Sequence, residues 1–145
     1  MTLEELLTGY EFLVTYRPLA DELSVEDSLP SGIETSVLAA NASPDPAQTA
    51  HELCRKAAGR RTAVILPGTS FDASGTRHGR GAGWYDRFLA TAPREWVRIG
   101  VCTPRQFSVV PLVRKPWDQP MDYVFILGDV CVLRRTGART SIPGA

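Results

Sequence analysis

The sequence predicts an α/β fold with three layers, αβα, around a mainly parallel central sheet. Apolar segments rich in β-branched residues alternate along the chain with segments of helical periodicity. One apolar segment, 63–66, leads directly into a long glycine-rich loop and then a helix, an order typical of open parallel sheets that bind ligands beyond their strand ends. We expect residues 1–134 to form a single α/β domain and residues 135–145, which lack periodicity, to be a flexible tail.

In the first half of the chain, local signals predict two helices and two strands. Thr2 and Glu5 have the spacing of a capping box, which predicts a short N-terminal helix. Asp45-Pro46 and Gly59 mark the start and the end of a longer helix. The predicted elements are the helix 2–7, the strands 10–16 and 33–40, and the helix 47–58.

The second half continues the alternation after the glycine-rich loop. A helix is predicted from Trp84 to Leu89, and Ala92-Pro93 ends it. Pro111 interrupts the apolar segment 107–113, and the loop 114–120 follows it. The predicted strands are 63–66, 97–102, 123–127 and 130–133, the last two joined in a hairpin at Gly128-Asp129.

Composition and charge exclude several classes of function. Sixteen basic and sixteen acidic residues give a net charge of zero, so no overall field attracts nucleic acid or an anionic membrane. No apolar run has the length of a membrane span, and the N-terminus is acidic where a signal peptide is basic. Three widely separated cysteines, Cys54, Cys102 and Cys131, indicate reduced thiols. We expect a cytoplasmic protein without nucleic-acid or membrane partners; the oligomeric state stays open.

The glycine-rich stretch 67–89 is the main candidate for a functional site. Glycines let the backbone approach a ligand, and the first N–H groups of the next helix point outward, which favours a polyphosphate. The stretch matches neither the Walker A loop nor the dinucleotide fingerprint. Arg77 and Arg80 could grip phosphate, and Asp86, in the first helical turn, could face a phosphate only through a divalent cation.

These residues resemble the signature of a known family. The stretch LPGTSFDASGTRHGRGAGWYDRFL is similar to the pattern PG-x-x-F-D-x-x-G-x-R-L-G-x-G-x-G-Y-Y-D-R of 5-formyltetrahydrofolate cyclo-ligases. Gln106 in VCTPRQF and the segment 110–122 also resemble later parts of that pattern, so the resemblance covers roughly 63–127. It implies a cyclo-ligase-like fold and an ATP- and Mg²⁺-dependent enzyme that closes the ring of 5-formyltetrahydrofolate, a folate-like small molecule.

The resemblance also implies roles for individual residues. Glu22 lies in a context similar to the family's folate-binding glutamate, after Tyr16 and Pro18. Asp86 and Asp118 would be the magnesium carboxylates, and Arg80 and Tyr85 the catalytic residues. ATP would contact Arg77, His78, Gly79, Arg80, Gly81, Ala82, Gly83, Trp84 and Tyr85, and the substrate would contact Glu22, Arg80, Trp84 and Gln106.

Departures from the pattern leave alternatives open. The basic N-terminal element that reaches the ATP phosphates in the family has no counterpart here, where the only lysines are Lys56 and Lys115. His78 and Trp84 replace a leucine and a tyrosine; His78 is either a loop residue or an acid-base group. The chain could therefore be an ATP-dependent cyclo-ligase, a shortened relative that catalyses an ATP-independent cyclisation or dehydration, or a non-catalytic binding protein.

Overall fold

The computed structural model describes residues 1–20, 22–40, 45–80 and 83–131. Helices and strands alternate along it, as the sequence predicts. In chain order the elements are α1 (Leu3–Leu6), β1 (Phe12–Tyr16), β2 (Glu34–Leu38), α2 (Pro46–Ala57), β3 (Thr62–Leu66), β4 (Ser70–Asp72), β5 (Arg77–His78), α3 (Trp84–Thr91), β6 (Val97–Cys102), β7 (Phe107–Ser108), β8 (Tyr123–Ile126) and β9 (Asp129–Cys131). Two short 3₁₀ helices, Glu26–Ser28 and Pro104–Gln106, lie between them.

The central sheet is mainly parallel, which confirms the predicted fold class. Its strand order is β2-β1-β3-β6-β8-β9, and only the terminal strand β9 runs antiparallel to its neighbour among the described strands. Every residue of β1, β3 and β6 is buried, as expected for parallel strands that are covered on both faces. The predicted hairpin between β8 and β9 is present and turns at Gly128, whose φ is +90°.

Layers of helix and loop cover the two faces of the sheet. On one face, α2 and α3 pack against each other and, with Phe12, Val64 and Phe88, form part of one apolar core. On the other face, α1 and the segment 23–33 cover a second core. The caps of both N-terminal helices are those predicted. The Thr2 hydroxyl accepts a hydrogen bond from Glu5 N at 3.1 Å, and Asp45 Oδ1 accepts one from Gln48 N at 3.1 Å.

The glycine-rich stretch contains more regular structure than the sequence predicts. Instead of a continuous loop, β4 and β5 form a hairpin, and β7 joins β4 in a second, three-stranded sheet. The fully buried ring of Phe71 in β4 lies against Gly100 of β6. This contact holds the small sheet, and with it the glycine-rich stretch 67–89, against the central sheet.

The apolar segment 107–113 forms a strand only at Phe107–Ser108. Backbone N–H groups beyond it bind side chains: Val110 N donates to Ser108 Oγ and Leu112 N to Asp72 Oδ2, while Pro111 has no N–H to donate. Val109 and Val110, which lie between this strand and Pro111, are exposed.

Some predictions fall on residues outside the described ranges: Gly81, Ala82 and the tail 135–145. Cys54 and Cys102 are free thiols, the first exposed and the second buried. Within the described ranges, no helix combines the length and the apolar character that crossing a membrane requires.

Candidate active site

A cavity of about 910 Å³ lies beyond the carboxyl ends of the central strands. Residues within four positions of the ends of β1, β3 and β6 contribute to its wall: Arg17, Gly68 and Gln106. This is the edge where open parallel sheets bind ligands, and the volume lies in the upper range of small-molecule sites.

The cavity wall carries more positive than negative charge. Five cationic and three acidic side chains line it among the described residues. The cations are Arg17, Arg77, Arg80, Arg87 and Lys115, and the acids are Glu22, Asp86 and Asp118. Because the whole chain has a formal charge of zero, this local excess favours an anionic ligand.

Arg77 packs against the rest of the glycine-rich stretch and helps to hold it in place. Only 6% of the residue is exposed, its Nε donates to the Pro67 carbonyl at 2.5 Å, and its guanidinium lies 4.9 Å from the centre of the Tyr85 ring. A Cβ on Gly79 would lie 3.0 Å from one of its terminal nitrogens, so glycine there lets the loop lie close over the guanidinium. Burial lowers the Arg77 pKa, and the charge of Asp86 opposes that shift.

Glu22 and Arg80, both predicted to bind substrate, form an ion pair. Arg80 Nε lies 3.6 Å from Glu22 Oε2, and the Glu22 side chain is only 10% exposed. The other Glu22 oxygen accepts a hydrogen bond from Leu19 N at 2.8 Å. The structure therefore brings the end of β1 and the glycine-rich loop together at one side of the cavity.

Asp86 and Asp118, the predicted magnesium ligands, both line the cavity. Asp86 Oδ1 accepts a hydrogen bond from Gln119 N at 3.1 Å, and Asp118 Oδ2 accepts one from Lys115 N at 2.8 Å. Burial raises the Asp86 pKa; the Gln119 bond and Arg77 lower it, and the charge of Asp118 raises it further. The charges of the two carboxylates thus oppose each other, and a divalent cation bound between them would relieve that repulsion.

The two carboxylates suit Mg²⁺, which needs few protein ligands, better than a metal ion that is bound by protein side chains alone. Within the described ranges, no group of three or more His, Cys, Asp or Glu side chains has the geometry to hold a metal ion. Mg²⁺ typically binds one or two protein carboxylates together with phosphate oxygens and water. Two carboxylates beside a cationic cavity match that pattern.

The start of α3 forms the floor of the cavity. The helix begins after Gly83, whose φ of +72° suits glycine and which has no side chain to cap the helix. Trp84 is 8% exposed and stacks on Phe88 at 5.6 Å, so most of its ring belongs to the core. Burial raises the Tyr85 pKa to about 12; at neutral pH this phenol is protonated and can donate a hydrogen bond.

His78 and Gln106 line the cavity and also connect loops. His78 Nε2 lies 2.7 Å from the Val113 carbonyl; a carbonyl only accepts, so Nε2 carries the proton and only Nδ1 could act as a base. Gln106 accepts from Thr103 N at 3.0 Å and donates to the Gly68 carbonyl at 3.3 Å.

Sequence reasoning missed several residues that line the cavity, among them Arg17, Lys115 and Trp117. Arg17 directly follows a predicted strand, which placed it at the ligand-binding edge. Lys115 and Trp117 lie in a loop that looked merely polar. A tryptophan in such a loop was the available signal, because large aromatic side chains are usually buried.

Comparisons with known proteins agree with this fold. A family model described as the 5-formyltetrahydrofolate cyclo-ligase family matches residues 22–126. No curated protein matches the chain. Among solved structures, a 5,10-methenyltetrahydrofolate synthetase from Mycoplasma pneumoniae is similar, with 19% identity over 84% of this chain and 78% of that chain and a TM-score of 0.57; at that identity the likeness shows the fold. Since the family model spans well over half of the sequence, the chain belongs to the 5-formyltetrahydrofolate cyclo-ligase family.

Proposed function

We propose that the protein is an ATP- and Mg²⁺-dependent cyclo-ligase that converts 5-formyltetrahydrofolate, or a related N-formyl small molecule, to the cyclised methenyl product. One observation carries the proposal: two mutually repelling carboxylates, Asp86 and Asp118, line a cavity whose other charges are mainly positive. That combination suits a magnesium-bound polyphosphate. Membership of the 5-formyltetrahydrofolate cyclo-ligase family supports a folate-like substrate.

The reaction requires activation of a formyl oxygen. This oxygen would attack the γ-phosphoryl group of ATP, and ADP would leave. A nearby folate nitrogen would then attack the formyl carbon and lose its proton, and the oxygen would depart as part of inorganic phosphate. Phosphoryl transfer depends mainly on positioning and on neutralisation of charge. A bound Mg²⁺ would supply part of that neutralisation at the phosphate oxygens.

The residues of this chain divide the remaining tasks. Asp86 and Asp118 would hold the metal. Arg80, at the cavity surface, would neutralise phosphate charge while Glu22 positions it through their ion pair, and Tyr85 would donate a hydrogen bond to a developing negative charge. The predicted ATP contacts of 77–85 remain part of the proposal, including Gly81 and Ala82.

A second candidate function is an ATP-independent reaction, or binding without catalysis, in a shortened relative. The observation that favours it is the acidic character of α1, which carries Glu4 and Glu5 in its first turn and no basic residue in its last. Its buried Leu3 belongs to the core on the other face of the sheet. This helix therefore offers no basic side chain to a phosphate.

An activity assay separates the two candidates. Purified protein is incubated with 5-formyltetrahydrofolate and Mg²⁺, with and without ATP, and the absorbance of the methenyl product is followed. Product only in the presence of ATP supports the first candidate. Product without ATP supports the second, and no product in either reaction excludes 5-formyltetrahydrofolate as the substrate.

Substitution of Asp86 tests the metal site. Asp86→Asn should abolish Mg²⁺-dependent ATP binding in calorimetry and leave the fold intact by circular dichroism, because the amide keeps the shape but loses the charge. Glu95→Gln, in an exposed residue shortly after α3, is the matched control and should bind ATP normally. Unchanged ATP affinity in Asp86→Asn would remove Asp86 from the site.

A further inference from the structure

Trp117 lies exposed at the rim of the cavity. It is 61% exposed, whereas the other two tryptophans, Trp84 and Trp96, are 8% and 4% exposed. The Lys115 ammonium lies 5.4 Å from the centre of its ring, over the face. Both residues line the cavity, and the functional assignments above leave them without a role.

The loop that carries Trp117 is held in place. Leu112 N donates to Asp72 Oδ2 at 2.7 Å, His78 Nε2 donates to the Val113 carbonyl at 2.7 Å, and Arg114 Nε donates to Thr76 Oγ1 at 3.0 Å. These bonds fix the loop to the β4–β5 hairpin. The tryptophan ring is therefore presented to the solvent by a constrained backbone.

The positions of the apolar side chains in this loop indicate where a ligand would bind, namely inside the cavity. Val109 and Val110 lie in the same loop and are 90% and 66% exposed, but they are not among the residues that line the cavity. Val113 and Trp117 do line it. A ring that enters the cavity would cover Trp117, and stacking on an aromatic face is favourable for any planar heterocycle.

We propose that Trp117 stacks on the base of the bound nucleotide and that Lys115 binds its phosphates. This inference rests on the proposed use of ATP. The loop places the ring, the ammonium and Asp118 within four residues, and Lys115 N donates directly to Asp118 Oδ2 at 2.8 Å. This short segment would thus contribute one contact each to the base, to a phosphate and to the magnesium.

Quenching of tryptophan fluorescence by acrylamide tests the stacking directly. Because Trp117 is the exposed tryptophan, Trp117→Phe should remove most of the quenchable signal. In the wild-type protein, Mg²⁺ and ATP should protect that signal, and 5-formyltetrahydrofolate alone should not. Protection by the folate without protection by ATP would overturn the inference.

Calorimetry with ATP distinguishes a failure of the inference from a failure of the proposed function. Trp117→Ala should weaken ATP binding about 5- to 100-fold, the range expected for loss of a stacked base, and Trp117→Phe should retain most of the affinity. Val110→Ala, an exposed position of the same loop, should have no effect. Wild-type binding that Trp117→Ala leaves unchanged overturns the inference alone; absence of ATP binding to the wild-type protein overturns it together with the ATP-dependent reaction.

The two lysines of the chain provide a second matched pair. Lys115→Ala should weaken ATP binding, and the difference from wild type should shrink as salt is added. Lys56→Ala, whose side chain is 53% exposed and lies near Glu34 instead of the cavity, should bind ATP normally. Equal affinity of the two lysine variants would contradict the phosphate role of Lys115.

Discussion

Substitution of Gly100 by alanine should disturb the contact between the two sheets. A Cβ at this position would lie 2.2 Å from Phe71 Cε1 and 2.8 Å from Cδ1, and Phe71 is fully buried. The Gly100 φ lies outside the left-handed region, so alanine meets a steric obstacle and no backbone strain. Overpacking costs about 1–3 kcal/mol. Alanine loses less conformational entropy on folding than glycine, and this difference stabilises the variant by about 0.5–1 kcal/mol. We expect a net loss of about 1–2 kcal/mol in the free energy of unfolding.

A double-mutant cycle isolates this contact. Phe71→Ala alone should cost about 3–5 kcal/mol, because it leaves a cavity between the sheets. In that background Gly100→Ala should cost nothing or stabilise, since its methyl group enters the space that the ring vacated. Urea unfolding, followed by the fluorescence of the buried Trp84 and Trp96, gives the four free energies. If Gly100→Ala costs the same amount in both backgrounds, the effects are additive and the proposed contact is refuted.

Two further predictions concern acids at the cavity wall and beneath it. Burial acts to raise the Asp72 pKa, but hydrogen bonds from Leu112, Ser74 and Thr76 outweigh it and lower the pKa; its stabilisation should be present above the ordinary value of 3.8 and be lost as the pH falls through the folded pKa. Asp72→Asn should thus cost about 1–3 kcal/mol at pH near 7 and less in acid, and an equal cost in urea unfolding at both pH values would contradict this. Glu22→Gln should change the free energy of unfolding by less than about 1 kcal/mol but weaken folate binding in calorimetry, with the exposed Glu26→Gln as control; unchanged folate affinity would exclude Glu22 from the site.

Local signals in the sequence were sufficient for most of the fold. Capping residues marked α1 and α2, and largely apolar, β-branched runs marked the buried parallel strands, because these features depend on neighbours in the chain. The β4–β5 hairpin was not predicted, since its position depends on a contact between Phe71 and Gly100, which are far apart in sequence. Pro111 did signal the break after β7, but the side-chain acceptors Ser108 and Asp72 that replace the strand ladder were not foreseen.

The sequence predicted where the candidate site lies, but not how the environments of its two loop arginines differ. Arg77 and Arg80 lie in one loop and look equivalent in the sequence. In the structure, Arg77 is buried between Pro67 and Tyr85, while the side chain of Arg80 is 42% exposed beside Glu22. Both arginines line the cavity, but their difference in exposure depends on the packing of the loop against α3, and this packing follows from tertiary structure alone.

The cations of the cavity come from separate parts of the fold, and this has a consequence for binding. Arg17 follows β1, Arg77 lies in β5, Arg80 follows β5, Arg87 lies on α3 and Lys115 lies in the loop after β7. No single segment carries enough charge to hold a polyphosphate, so affinity depends on the small sheet remaining seated on the central one. A substitution that loosens this seat, such as Gly100→Ala, should therefore weaken ATP binding under conditions in which the protein is still folded, because Arg80 and the Lys115 loop move with the hairpin.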